Sequence, residues 1–137
     1  MLRWFRRPSY DLLIEPERIT LAGGTVRVEV EPRLAVDAKG RITAVGGRRP
    51  EQGDRVIELL APVSAAERPQ LEERLGAFVA VFRHLFRAAQ KGAVFAIRPT
   101  VRVHGMAVVR PLFSGREQQF LLDALVHAGA TKVEFAG

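Results

Sequence analysis

Met106-Ala-Val-Val-Arg-Pro-Leu-Phe-Ser114-Gly-Arg-Glu-Gln-Gln-Phe120-Leu-Leu-Asp-Ala-Leu-Val-His-Ala128-Gly-Ala-Thr-Lys-Val-Glu-Phe135 is the stretch whose reading decides the fold. It divides into a short apolar run at Met106–Arg110, a helical pattern from Ser114 to Ala128, and a second short run at Thr131–Phe135. Ser114 and Glu117 have capping-box spacing, in which the serine oxygen takes a free backbone N–H and the glutamate reaches back. On that reading Gly115 and Arg116 fill the first turn. Phe120, Leu121, Leu122, Ala124, Leu125 and Ala128 follow at helical spacing, and Gly129 stops the helix. Strand, crossover helix and strand make a βαβ unit, which calls for parallel pairing.

Working outward, Ala93–Ile97 is an unalternated apolar run that reads as a strand, and Thr100–His104 alternates as another. Upstream, Leu71, Leu75, Phe78, Phe82, Leu85 and Ala89 step by four and three, which is one buried helical stripe. Val79, Val81 and Phe86 broaden it. Ser64 and Glu67 could cap this helix, but Pro69 would then cost an intrahelical bond. A start near Pro69, where proline is tolerated, is the better reading. Lys91-Gly92 ends it.

The first third reads as an antiparallel meander. Tyr10–Ile14 is a strand, Glu15-Pro16-Glu17 breaks it, and Arg18–Ala22 begins the next. Gly23-Gly24 signals a hairpin turn, and Thr25–Val30 alternates cleanly. Arg33–Val36 and Arg41–Val45 flank a turn at Asp37–Gly40. Gly46–Asp54 is a polar loop without the pattern of a phosphate-binding loop, and Arg55–Leu60 is extended.

The chain has 137 residues, a net charge of +6 and no cysteine. That length supports one domain with a real core, and the absence of cysteine excludes disulfides, thiolate catalysis and sulfur-ligated zinc. No apolar run reaches the roughly 20 residues of a spanning helix. The expected location is therefore cytoplasmic, with peripheral contact at the inner membrane surface. The basic balance favours anionic partners. Its arginines are scattered, however, and a solvated basic surface outweighs nucleic-acid binding.

Residues 1–9 form a basic amphipathic start, and residues 10–137 form the domain. Leu2, Trp4 and Phe5, with Arg3, Arg6 and Arg7, make a miniature interfacial anchor. A disordered start, or one folded back on the protein's own core, weighs equally. His84, His104 and His127 show no ligand spacing and read as surface or helix-flank residues. Asp11, Glu15, Glu17 and Asp37 lie near the first strand and its turns. Carboxylates there can hold magnesium, but Pro16 fixes the backbone and no phosphate-cradling amides accompany them.

The order of these pieces resembles the first subdomain of the bacterial actin-like rod-shape-determining (MreB) proteins. The likeness runs through Met1–Arg7, Asp11–Ile14, Ile19–Val30, the Glu31-Pro32-Arg-Leu-Ala-Val36 segment and Ile42-Thr-Ala-Val-Gly46. It is best at Val108-Val-Arg-Pro111, Arg116-Glu117 through Ala128-Gly-Ala130, and Val133-Glu-Phe135. It covers nearly all of this chain but only the first part of a family member.

The resemblance implies an α/β fold of the ribonuclease H-like, actin-like kind, with a mixed sheet of about five strands and two main helices. It also marks Glu15, Pro16 and Glu17 as a degenerate phosphate-loop position. The family has Asp-Leu-Gly-Thr there, whereas this chain has a proline, two carboxylates and no glycine. The chain also ends before the family's second phosphate loop and second domain.

The expectation is a non-catalytic subdomain that acts by protein contact in cell-shape or cytoskeletal organisation, without a cofactor or a small-molecule substrate. Its partner would be a second copy or an actin-like filament protein, docked on whatever sheet face two helices leave uncovered. The alternatives are a remnant nucleotide- or metal-binding protein using Asp11, Glu15 and Glu17, or a basic nucleic-acid binder.

Overall fold

The computed structural model of the chain describes residues 8–47, 54–63, 68–91, 98–113 and 115–136. Its first strands follow from their alternation. In β1 (Ser9–Ile14), Tyr10, Leu12 and Ile14 are buried and Ser9, Asp11 and Leu13 face out. β1 pairs antiparallel with β2 (Ile19–Gly23), and β2 pairs antiparallel with β3 (Val26–Val30). The next two strands leave this meander. β4 (Arg33–Val36) is the centre of a separate antiparallel sheet, flanked by β5 (Ile42–Val45) and β6 (Arg55–Glu58). Its tight β4–β5 turn is held by Asp37, whose carboxylate accepts the N–H groups of Lys39 and Arg41 at 2.9 Å each.

α1 (Arg68–Ala89) begins one residue before Pro69, so the missing N–H falls where no intrahelical partner exists. At 22 residues it spans roughly 33 Å. Phe78, Val81, Phe82 and Leu85 are its fully buried stripe. β7 (Thr100–His104) then pairs parallel with β1, and β8 (Lys132–Phe135) pairs parallel with β7. The main sheet has the order β3-β2-β1-β7-β8, and β2 alone runs against the rest.

The stretch between β7 and β8 departs from its sequence reading. Met106–Arg110 is not a strand. Gly105, at φ 87°, turns the chain off β7, and Met106–Val109 forms the single helical turn α2, followed by a 3-10 turn at Arg110–Leu112. Met106 and Val109, three apart, are the two buried residues, so the apolar run is spent on helical spacing. The strand of the βαβ unit is therefore β7, six residues upstream, and the crossover helix is α3 (Glu117–Ala128).

α3 also starts later than its capping-box spacing suggests. Gly115 lies outside it at φ 88°, and Arg116 is the N-cap, its carbonyl accepting the Phe120 N–H at 3.0 Å. Glu117 instead meets Arg110, with Oε1 3.4 Å from Nε. Ser114, the proposed strand Ala93–Ile97 and the alternative cap at Ser64 and Glu67 lie outside the described residues. The Gly129 stop is as expected: its N–H donates to the carbonyls of Leu125 and Val126.

α1 and α3 pack on the sheet face that carries Leu12, Ile14, Leu21, Val101 and Val103. They meet through an aromatic cluster. Phe78 sits edge-on to Phe120 at 5.3 Å, and Phe120 stacks on Phe113 at 4.0 Å. α1 also contacts β4 and β5, so the small sheet leans on the helix as well. Arg74 fastens this joint by donating to the carbonyls of Leu59, at 2.8 Å, and Ala61. Among the described residues, no helix is long and apolar enough to cross a membrane.

Candidate functional site

In open sheets with parallel strands, ligand sites form beyond the carboxyl ends of those strands. Here that end carries the β1–β2 turn, Gly105 with α2, and the start of α3. The turn is short and closed on itself. The Glu15 N–H donates to the Arg18 carbonyl at 2.9 Å, and the Glu15 carboxylate lies 3.4 Å from the Arg18 guanidinium. Pro16 has no N–H to offer. Pro16, Glu17 and Arg18 are exposed. Of the three residues marked as a degenerate phosphate loop, one has its amide engaged, one has none, and two carry negative charge. A polyphosphate would meet repulsion there and find few free donors.

Asp11 does not join Glu15 and Glu17. Four residues of strand separate Asp11 from Glu15, about 13 Å along β1. Asp37 lies in the β4–β5 turn of the other sheet. Among the described residues, no group of three or more His, Asp or Glu side chains is placed to hold a metal ion.

Asp11 finds a different partner, which the separate reading of the histidines missed. His104 Nε2 is 2.8 Å from Asp11 Oδ1, across the β1–β7 pair. The signal was available: both residues sit in the outward phase of alternating strands. It needed the parallel register, which sets Leu13 beside His104 and Asp11 beside Arg102. This His–carboxylate pair has the orienting half of a general-base arrangement. Among the described residues, however, no hydroxyl or amine is hydrogen-bonded to His104. The pair is solvent-facing and reads as a cross-strand contact.

The pair belongs to the sheet face opposite α1 and α3. The register lines up Glu134, Arg102 and Asp11 across β8, β7 and β1, with alternating charge. Arg27 and Glu29 continue this face on β3. Leu13 is its exposed large apolar residue. Among the described residues, the face left uncovered by the two main helices is thus largely polar.

An apolar groove of about 310 Å³ lies between α1 and α3, lined by Leu71, Leu75, Leu112, Phe113 and Phe120, with Glu72, Arg116 and Asp123 among its polar lining. A smaller hollow of about 250 Å³ separates the second sheet from α1 at Gly76 and Ala77, where α1 carries no bulk. Beside it, Arg55 makes a two-pronged contact with Glu73 at 2.9 and 3.0 Å. That hydrogen bond holds the Glu73 carboxyl below the usual carboxylate range.

The anchor residues Leu2, Arg3, Trp4, Phe5, Arg6 and Arg7 lie outside the described residues. No family model matches the chain, and no curated protein or solved structure matches it either.

Proposed function

We propose that this chain is a non-catalytic actin-like module, of the ribonuclease H-like kind found in the first subdomain of the rod-shape-determining (MreB) proteins, and that it works by protein contact. One observation supports the reading: several of the quoted words of that likeness fall on discrete elements in the same order, although Val108–Pro111, a strand in the likeness, lies in α2 and the 3-10 turn after it. The meander Asp11–Ile14 and Ile19–Val30 is β1 to β3, Glu31–Val36 ends in β4, and Ile42–Gly46 is β5. Arg116-Glu117 through Ala130 is α3 with its stop, and Val133–Phe135 lies in β8. A mixed five-stranded sheet with two main helices is consistent with this reading, and the separate sheet of β4 to β6 is additional to it.

The self-closed turn at Glu15–Arg18 supports the absence of nucleotide chemistry from the proposal. Binding would then be to a second copy of the chain or to an actin-like filament protein, with residues 1–7 adding a hold on an anionic inner membrane surface. Calorimetry with magnesium and ATP should show no binding heat. Light scattering at micromolar concentration should show a dimer, or sedimentation should show the chain pelleting with actin-like filaments. Magnesium-dependent ATP binding that is lost in Glu15→Ala would establish the nucleotide-remnant alternative. A monomer that also ignores filaments would remove the contact reading.

A further inference from the structure

The main sheet ends at β3 on one side and at β8 on the other, and an edge strand carries a row of unpaired backbone groups. The two edges are not alike. Beside β3 stands the second sheet: a Cβ on Gly46, just past β5, would strike the Val30 side chain and the Glu31 carboxylate. Among the described residues, β8 has a strand neighbour on one side only, β7.

Bonding direction alternates along β8. The Thr131 N–H turns to the Pro99 carbonyl, at 2.8 Å, where β7 begins, so the amides of Lys132 and Glu134 turn outward. Both of these side chains are exposed, and Val133 between them packs toward the core. A second β8 laid antiparallel against the first, with Val133 opposite Val133, sets Lys132 opposite Glu134 on both sides of the centre. These are the positions whose amides face outward, so each becomes a hydrogen-bonded pair exchanging both N–H···O bonds. Residues opposed in such a pair stand about 5.5 Å apart, nearer than the roughly 6.6 Å between residues two apart on one strand. The Lys132–Glu134 attraction, 3.3 Å within one chain, is therefore equally available across a seam.

α3 supplies a second observation. α1 contacts β2 and β3, and α3 contacts β8, so the side of α3 away from α1 overhangs the β8 edge. α3 turns Leu121, Ala124 and Leu125 to the core and Phe120 to Phe78 of α1. At helical spacing the remaining side carries Gln118, Leu122 and Val126. Val126 is a large apolar side chain left 40% exposed, and Leu122 is half-buried. A crossover helix lies over the strands it joins, which are about 4.8 Å apart. Two copies of α3 flanking a seam at β8 would therefore run about 10 Å apart, a helix-packing distance, with Leu122 and Val126 between them.

We propose that a second copy of the chain pairs with this edge by two-fold symmetry: β8 against β8, antiparallel about Val133, with the Leu122–Val126 sides of the two α3 helices closing over the seam. Such an interface is isologous, so one self-complementary strand serves both copies. The inference rests on the contact reading above and names the surface that its second-copy branch uses.

Sedimentation equilibrium of the full chain, from micromolar to millimolar concentration, should show monomer and dimer in exchange. Lys132→Glu alone sets like charges opposite each other at the seam, and so does Glu134→Lys alone. Each should raise the dimer Kd on the order of tenfold or more, with Tm little changed because the pair within one chain is exposed. Mixed in equal amounts, the two variants should form a heterodimer, since each then meets its opposite. Both remain net basic, so overall charge does not account for that pairing. The double variant Lys132→Glu, Glu134→Lys should recover the homodimer. Val126→Asp should also weaken the dimer, whereas Leu13→Asp, at a comparably exposed apolar residue on the open sheet face, should not.

A dimer that survives both single reversals and Val126→Asp overturns this surface and leaves the contact reading standing. A chain that stays monomeric at millimolar concentration overturns it too, and filament sedimentation then decides the contact reading by itself. Mixed variants that stay apart, each folded by circular dichroism, would show that Lys132 and Glu134 do not meet across a seam and would sink the register.

Discussion

Gly105 is where the strand β7 becomes the turn α2, and replacing it by alanine tests that description directly. Two penalties add. The residue sits at φ 87°, and a non-glycine residue there costs roughly 1–2 kcal/mol. A Cβ at this position would also run into the backbone carbonyl of Ile14 at the end of β1. Backbone cannot swing aside as a side chain can, so an overpacking cost of about 1–3 kcal/mol follows. The expected total is about 2–5 kcal/mol.

For a domain of this length, each kcal/mol lowers Tm by about 3–4 °C, so Gly105→Ala should lose about 6–20 °C. Gly40 supplies the comparison. It has φ 80° and open space where its Cβ would go, so Gly40→Ala should cost only about 1–2 kcal/mol. Urea titration followed by circular dichroism reads both, and the midpoint should move without a change in slope. Equal losses for the two variants would refute the close approach of β7's exit to β1, and with it the helical reading of Met106–Val109.

Phe78→Ala should be among the most damaging core changes. The ring is fully buried and touches Phe82, Phe113 and Phe120. The expected loss is about 3–5 kcal/mol by chemical denaturation, and a loss under 1 kcal/mol would mean α1 and α3 do not meet there. Arg74→Met keeps the stem but leaves the carbonyls of Leu59 and Ala61 without this donor, for a loss of about 1–3 kcal/mol in the same assay. Asp37 accepts from the Arg41 and Lys39 amides and from the Arg41 guanidinium, and the Arg41 amide bond is the main cause of its carboxyl lying below the ordinary value of 3.8. Its contribution is therefore present above that value and fades as pH falls through the lower folded one. A carboxyl NMR titration placing Asp37 at or above the midpoint of free aspartate would contradict the turn.

The strands with clean alternation were legible from residues alone. Thr25–Val30 and Thr100–His104 each show which side chains turn inward, and the long helix was fixed by its four-three stepping and by Pro69. Met106–Val109 misled for a physical reason. A short apolar run without alternation suits a doubly covered strand or a buried helical turn equally, and the deciding fact is the backbone turn at Gly105. The separation of β4, β5 and β6 into a second sheet was not legible, because pairing between strands leaves no local mark on either strand. The Asp11–His104 contact was hidden for the same reason: it exists only once β1 and β7 lie in register.

Sheets with helices on one face usually need their other face covered, because apolar side chains there would meet water. That demand is weak here. β1, β7 and β8 turn Asp11, Arg102, His104, Lys132 and Glu134 outward, and Lys132 already has Glu134 at 3.3 Å. Hydrophobic burial therefore does not force a partner onto this face. A partner that docks there must be recognised by charge, and exposed charge pairs are screened over about 10 Å at 0.1 M salt and about 3 Å at 1 M. Raising salt from 0.1 to 0.5 M should then weaken a dimer or filament complex severalfold or more, read as a shift of the monomer fraction by light scattering. A contact seated in the groove of Leu71, Leu75, Phe113 and Phe120 would behave in the opposite way, since apolar burial survives salt. An assembly indifferent to salt would move the interface from the sheet to that groove.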